Sequence, residues 1–169
     1  MKKDIMNIMN DIKYGYLDIN GNLHFDIDED FDSKYKLQSP NETLNNKIGV
    51  CWDQVELERY LFEKENIEFK TYFIVYYSEN ICPTHTFLIY NIDNNYYWFE
   101  HSWEKYRGIR RYSSENSALK DIKEKFINDE LNNKCDDINL FIFKYTKPRY
   151  GINLLEFYHH CENGEKVIV

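Results

Sequence analysis

No two of the four cysteines, Cys51, Cys82, Cys135 and Cys161, stand in a CxxC spacing, so neither a zinc ribbon nor a disulfide framework is indicated. In a reducing compartment such thiols are either buried small hydrophobes or reactive groups. Long apolar runs are missing too, and Met1-Lys2-Lys3-Asp4 leads into a mixed polar segment without the apolar region of a signal peptide. The expectation is therefore a cytoplasmic protein with no membrane partner. Basic residues are in deficit, 21 Lys and Arg against 29 Asp and Glu, and the net charge of -8 disfavours nucleic acid as a partner. Internal repeats, low-complexity tracts and linkers are also absent. One domain spanning 1–169 is expected, large enough to bury a core without metal or disulfide staples.

What the chain does have is aromatic content. Phe, Trp and Tyr make up 17% of it, with 15 Tyr, and hydrophobic residues reach 43%, so the low mean hydropathy reflects a charged surface rather than disorder. Ile5, Ile8, Met9 and Ile12 have helical spacing over residues 4–13. Asn20-Gly21, between short alternating runs, is a hairpin signal. The acidic run from Asp26 to Asp32 reads as a solvated loop, since the spaced oxygen ligands and mid-loop glycine of a calcium loop are absent. Ser39-Pro40-Asn41-Glu42 has the form of a helix start, with Ser as N-cap and Glu three positions on. From Cys51 to about Glu65 there is no Gly or Pro, and the apolar residues spread around more than one face, which predicts a helix buried on several sides.

Residues 69–77 read as a strand covered on both faces. Residues 84–90 and 96–101 form two more, joined by the polar stretch Asn91 to Asn94. Ser113 or Ser114 caps a helix reaching about Leu131, with Leu119, Ile122 and Phe126 in its apolar stripe. A strand over 139–145 and a helix from Leu154 to Cys161 complete the chain, and Gly108-Ile109 reads as a turn. The class is α+β: helices first, then a mostly antiparallel sheet with one more helix inserted.

Within this frame three residues point to chemistry. Gly49-Val50-Cys51-Trp52-Asp53-Gln54 puts a cysteine at a helix N-terminus, where uncompensated N–H groups and the macrodipole favour the thiolate and can also receive an oxyanion. His85 can serve as base and Glu100 can orient it. With a four-residue connection Tyr90 would face Asn95 and His85 would lie directly across from Glu100, with Cβ atoms roughly 4.5–5.5 Å apart. An odd connection would oppose His85 to His101 instead. Glu100 and His101 point to opposite sheet faces, so only one belongs with His85, and a carboxylate both fixes the tautomer and stabilises the imidazolium.

These motifs, Gly49-Val50-Cys51-Trp52-Asp53, Thr84-His85-Thr86-Phe87 and Trp98-Phe99-Glu100-His101-Ser102-Trp103, resemble the transglutaminase-like branch of the papain-like cysteine enzymes. The resemblance covers residues 49 to 109. It implies a papain-like core with the nucleophile helix packed on the sheet, and a peptide or protein amide as substrate. Cys51 would be nucleophile, His85 general base then acid, and Glu100, where the family usually has Asp, the orienting group. Gln38 is a weaker candidate for the oxyanion, and Trp52 and Trp103 for the substrate wall. No metal and no cofactor are implied. The alternative is a catalytically silent domain of the same fold that holds a peptide or protein partner. A metal site of Cys51, His85 and His101 is a third reading that strand alternation makes awkward, and His159-His160-Cys161 faces too many directions on a helix to bind one.

Overall fold

The computed structural model describes residues 2–169. Helix α1 (Lys2–Met9) leads into a small hairpin, β1 (Tyr16–Leu17) and β2 (Leu23–His24), which pair Tyr16 with His24 and Leu17 with Leu23 around Asn20-Gly21. Gly21 takes φ +84 there, a left-handed backbone that glycine adopts without a side-chain penalty. The acidic run departs from a free loop. Asp28 accepts hydrogen bonds from Tyr16 Oη at 2.5 Å and pairs with His24 Nδ1 at 2.7 Å, and a one-turn helix α2 (Phe31–Lys34) starts inside the run.

Helix α3 (Pro40–Asn46) has the anticipated capping box, with Ser39 accepting from the Glu42 N–H and Glu42 accepting from the Ser39 N–H. Helix α4 (Cys51–Lys64) is the central element: every residue from Cys51 to Arg59 is buried. Six strands follow in one antiparallel sheet: β3 (Phe69–Tyr76), β4 (Thr84–Ile92), β5 (Asn95–Glu100), β6 (Gly108–Tyr112), β7 (Leu140–Tyr145) and β8 (Glu165–Val167), in the order β6-β5-β4-β3-β7-β8. Helix α5 (Glu115–Glu130), capped by Ser114, crosses between β6 and β7, and α6 (Leu154–Glu162), capped by Asn153, precedes β8.

Alternation along the strands separates two core layers. Tyr72, Ile74, Phe87, Ile89 and Trp98 face α5, where Ala118, Leu119, Ile122 and Phe126 meet them. On the opposite face, Leu88, Tyr90 and Phe99 pack on Leu57, Leu61 and Phe62 of α4 and on Ile5 and Met9 of α1. Phe73, Val75 and Tyr145 continue that face toward Trp52, Phe157 and Cys161. The class is α+β, with the helix that begins at Cys51 packed on the sheet as expected. Among the described residues no helix is long and apolar enough to cross a membrane.

Two expectations are corrected. Gly108-Ile109 is the start of β6, an edge strand paired to β5 through Glu100↔Gly108 and Phe99↔Ile109. The connection between β4 and β5 is two residues, not four: Ile92 pairs with Asn95, Tyr90 with Tyr97 and Leu88 with Phe99. Asp93 (φ 51) and Asn94 (φ 59) supply the two left-handed positions that a tight type I′ hairpin turn requires and Asn and Asp tolerate. Continuing this register sets Phe87, not His85, against Glu100. The shift is by two residues, so His85 and Glu100 stay on one face and become diagonal neighbours.

Candidate active site

Cys51 opens α4 at its first turn. Val50, the N-cap, has no side-chain acceptor, and no side chain caps the helix there; the Asp53 carboxylate instead reaches back to the Val50 N–H at 3.0 Å. The first N–H groups of the helix are thereby left for another acceptor. Gly49 is required by close approach: a Cβ there would lie 2.9 Å from Asp53 Cβ and 3.4 Å from Gln54 Cγ. The Gln54 amide also donates to the Gly49 carbonyl at 2.7 Å.

His85 enters from the second residue of β4. Its Nε2 lies 2.7 Å from Glu100 Oε2, and the Cys51 thiol lies close enough to the ring to raise it, which leaves Nδ1 as the nitrogen free to meet the thiol. The other Glu100 oxygen accepts from Ser102 Oγ at 3.1 Å and from the Trp103 N–H at 2.8 Å. The Trp103 ring stands edge-on to the imidazole, centroids 4.9 Å apart. Burial alone would depress the His85 ring, but the facing Glu100 carboxylate and the contact with Cys51 outweigh it and raise the ring to about 10. Burial pushes the Glu100 carboxyl up, yet the His85 charge and the three donors hold it below the ordinary carboxylate range. The pair is thus held as imidazolium and carboxylate near neutral pH.

A cleft of about 430 Å3 opens over these groups, with Cys51, Thr84, His85, Trp103, Tyr14 and Glu130 on its walls. Of the residues singled out from the sequence, Cys51, His85, Glu100 and Trp103 meet at this place. Gln38 lies apart from it: its amide donates to the Ile48 carbonyl at 2.9 Å and accepts from Asn46 Nδ2 at 2.8 Å, and its backbone N–H donates to Asp53 at 2.9 Å. Both ends are engaged in holding the segment that leads to Gly49. Trp52 is 3% exposed, stacked on Phe157 at 4.7 Å, and lines a neighbouring groove rather than this cleft.

His101 faces the α4 side, as strand alternation requires. Its Nδ1 meets Gln54 Oε1 at 2.7 Å, and burial, with Arg107 nearby, pushes its ring down to about 4. Glu58, one turn beyond Gln54, is buried, and burial together with the charge of Glu100 pushes its carboxyl well above the usual range. Glu58 Oε2, Thr86 Oγ1 and His101 Nε2 have no hydrogen-bond partner among the described residues.

Tyr14 was not foreseen from the sequence. It reaches the cleft because Lys13 bridges Ile48 in parallel, with the Lys13 N–H on the Lys47 carbonyl and the Gly49 N–H on the Lys13 carbonyl. No local pattern signals a pairing between segments so far apart. Ser102 was within reach: it is the residue two past Glu100.

A family model described as a transglutaminase-like domain matches residues 3–128, a span that contains Cys51, His85, Glu100 and Tyr14. No curated protein matches the chain.

Proposed function

We propose, from the premise that this chain belongs to the transglutaminase-like domain family, that it is a cysteine-nucleophile enzyme acting on amide bonds. The observation that carries the reading is the chain of contacts from Cys51 through His85 to Glu100, with Cys51 and His85 lining one cleft. The proton of the Cys51 thiol resides on His85 Nδ1, completing the imidazolium, and the thiolate attacks the amide carbonyl carbon. The oxyanion of the tetrahedral intermediate takes the free N–H groups at the start of α4. The C–N bond then breaks, His85 protonates the leaving amine, and a thioester remains on Cys51. Water, deprotonated by His85, attacks that thioester, and the thiol leaves as the carboxylic acid is released. An amine in place of water would give a cross-link. Hydrolysis is favoured because water is always present, and excluding it needs an enclosed tunnel rather than a cleft.

Glu100 acts by keeping His85 in the tautomer and orientation that present Nδ1 to the thiol. Trp103 walls the imidazole from solvent. The alternative is a silent domain of this fold that holds a peptide, and the observation in its favour is burial: Cys51 and His85 are only 7% and 8% exposed.

The test is alkylation by iodoacetamide, with mass spectrometry identifying the modified thiol. Cys51 is expected to react at least ~10-fold faster in the native chain than in His85→Ala, the effect of an activating base. A Cys51 that is unreactive in the folded protein, or indifferent to His85, sinks the enzyme reading in favour of the silent domain.

A further inference from the structure

Across Thr84, which belongs to both walls, the cleft adjoins a second depression of about 780 Å3. Its buried and half-buried lining includes the apolar and aromatic side chains of Trp52, Tyr158, Phe31 and Leu154. The interior is preformed: Trp52 is clamped face to face by Phe157 and edge-on by Tyr158, centroids 5.6 Å apart for the latter. At its lip Ile27 (48% exposed) and Leu155 (65% exposed) come from distant parts of the chain and converge. Apolar side chains gathered at one rim mark a place where apolar surface is covered by something else. The polar part of the rim is acidic. Among the described residues Asp32 has no cation partner, and Glu162, which lines the same groove, receives the Tyr77 hydroxyl and has His159, at 3.5 Å, as its one basic neighbour.

We propose that this groove is a substrate subsite that takes a bulky apolar side chain of a peptide, with an adjacent lysine or arginine against Asp32 and Glu162. The proposal rests on the amide chemistry assigned to Cys51, and it names the substrate class for that site. Its size exceeds one side chain and suits a short peptide segment. Continuity with the cleft across Thr84 lets the same chain present an amide carbonyl to Cys51. A purely hydrocarbon ligand would match the interior but leave the acidic rim without a counter-charge, whereas a basic residue beside the apolar one satisfies both.

The experiment uses the full chain carrying Cys51→Ala, so that binding is read without chemistry. The probes are acetyl-Gly-Phe-Lys-Gly-amide and two counterparts, one with Gly replacing the Phe and one with Glu replacing the Lys. The indole N–H resonance of Trp52, identified by its loss in Trp52→Phe, is followed in each titration. The Phe-Lys peptide is expected to shift that resonance and to bind at least ~10-fold more tightly than either counterpart, a difference of ~1.4 kcal/mol. Leu155→Asp, at an exposed position, is expected to remove the preference for Phe. Equal binding of the three peptides, no binding by any, or a preference that survives Leu155→Asp overturns the proposal. The alkylation test is independent of this one: an unreactive Cys51 with a selective groove would remove the enzyme and keep a peptide site, and the reverse would remove only the subsite.

Discussion

Replacing Glu100 by Gln tests the coupling of charge and tautomer at the centre of the site. The two side chains are nearly isosteric, and the remaining oxygen can still accept from Ser102 Oγ and the Trp103 N–H. The amide NH2 must then face His85 Nε2, where the carboxylate now stands at 2.7 Å. It donates there, so Nε2 becomes the acceptor and the ring is left neutral with its one proton on Nδ1, which can then no longer take the Cys51 proton as the proposed mechanism requires. Cys51 alkylation should fall to within a few-fold of the His85→Ala level. Stability changes as well, and with a definite pH signature. A ring held at about 10 against an ordinary 6.5 corresponds to at most ~5 kcal/mol, at ~1.4 kcal/mol per pH unit. Because Cys51 supplies part of that shift, we expect Glu100→Gln to cost ~2–3 kcal/mol at about pH 6. Between the ordinary value and about 10 the folded state binds more protons than the unfolded one, so this stabilisation is complete below the ordinary value and is lost as pH rises through the raised one. The Glu100 carboxyl, held low, sets the other edge: its contribution is present above its ordinary value and disappears as pH falls through its folded value. Urea denaturation of both proteins at about pH 6, 8 and 10 should therefore give a gap that closes with rising pH, with the slope set by proton linkage. A gap that is flat or widens toward about pH 10 would refute the reasoning.

The remaining perturbations act on α4 and its approach. Gly49→Ala forces a methyl to 2.9 Å from Asp53 Cβ, and urea denaturation should show a loss of ~1–3 kcal/mol together with slower Cys51 alkylation; an unchanged protein would remove close approach as the reason for the glycine. Arg59→Met leaves Glu56 buried without the partner now 2.9 Å away, which should cost ~3–5 kcal/mol in the same assay, and a neutral result would mean Glu56 had simply taken up a proton. Glu58→Gln replaces a buried acid, whose carboxyl burial pushes well above the usual range, by a neutral isostere, so stability near neutral pH should change by no more than ~1 kcal/mol. A larger loss would show that Glu58 carries a charge there.

The elements were legible where they follow local rules. Ser39 and Ser114 behave as N-caps because a serine hydroxyl in that position finds the N3 N–H whatever packs above it. The hairpin register was read wrongly and the site still came together, which follows from the period of the strand: a four-residue and a two-residue connection differ by an even number, so the same side chains share a face. What changed was the contact geometry. A glutamate diagonal to His85 spans a longer gap than one directly opposite, and its extra methylene relative to aspartate suits that distance. β6 went unread because Arg110 and Arg111 give it no apolar alternation, as suits an edge strand exposed on one side. Tyr14 was illegible for a different reason, since only the pairing of Lys13 with Ile48 brings it near Cys51.

That pairing shows what the first fifty residues do for the site. The Asp53 carboxylate, three residues into α4, gathers the Tyr35 hydroxyl at 3.0 Å, the Gln38 N–H at 2.9 Å and the Val50 N–H at 3.0 Å. Burial pushes its carboxyl up to about 7 in spite of these donors, so near neutral pH the group lies close to its own midpoint. A buried acid with three fixed donors is costly unless every donor stays in place, and this ties the segment from Tyr35 to Val50 to the first turn of the helix that begins with Cys51. Gln38, whose amide spans Ile48 and Asn46, locks the same segment from the other side. The N-terminal residues therefore hold the start of the helix that carries Cys51, and in Tyr14 they add a wall to the cleft. An isolated fragment that starts at Gly49 would keep Cys51, His85 and Glu100 in sequence yet lose the donors that fix the start of α4.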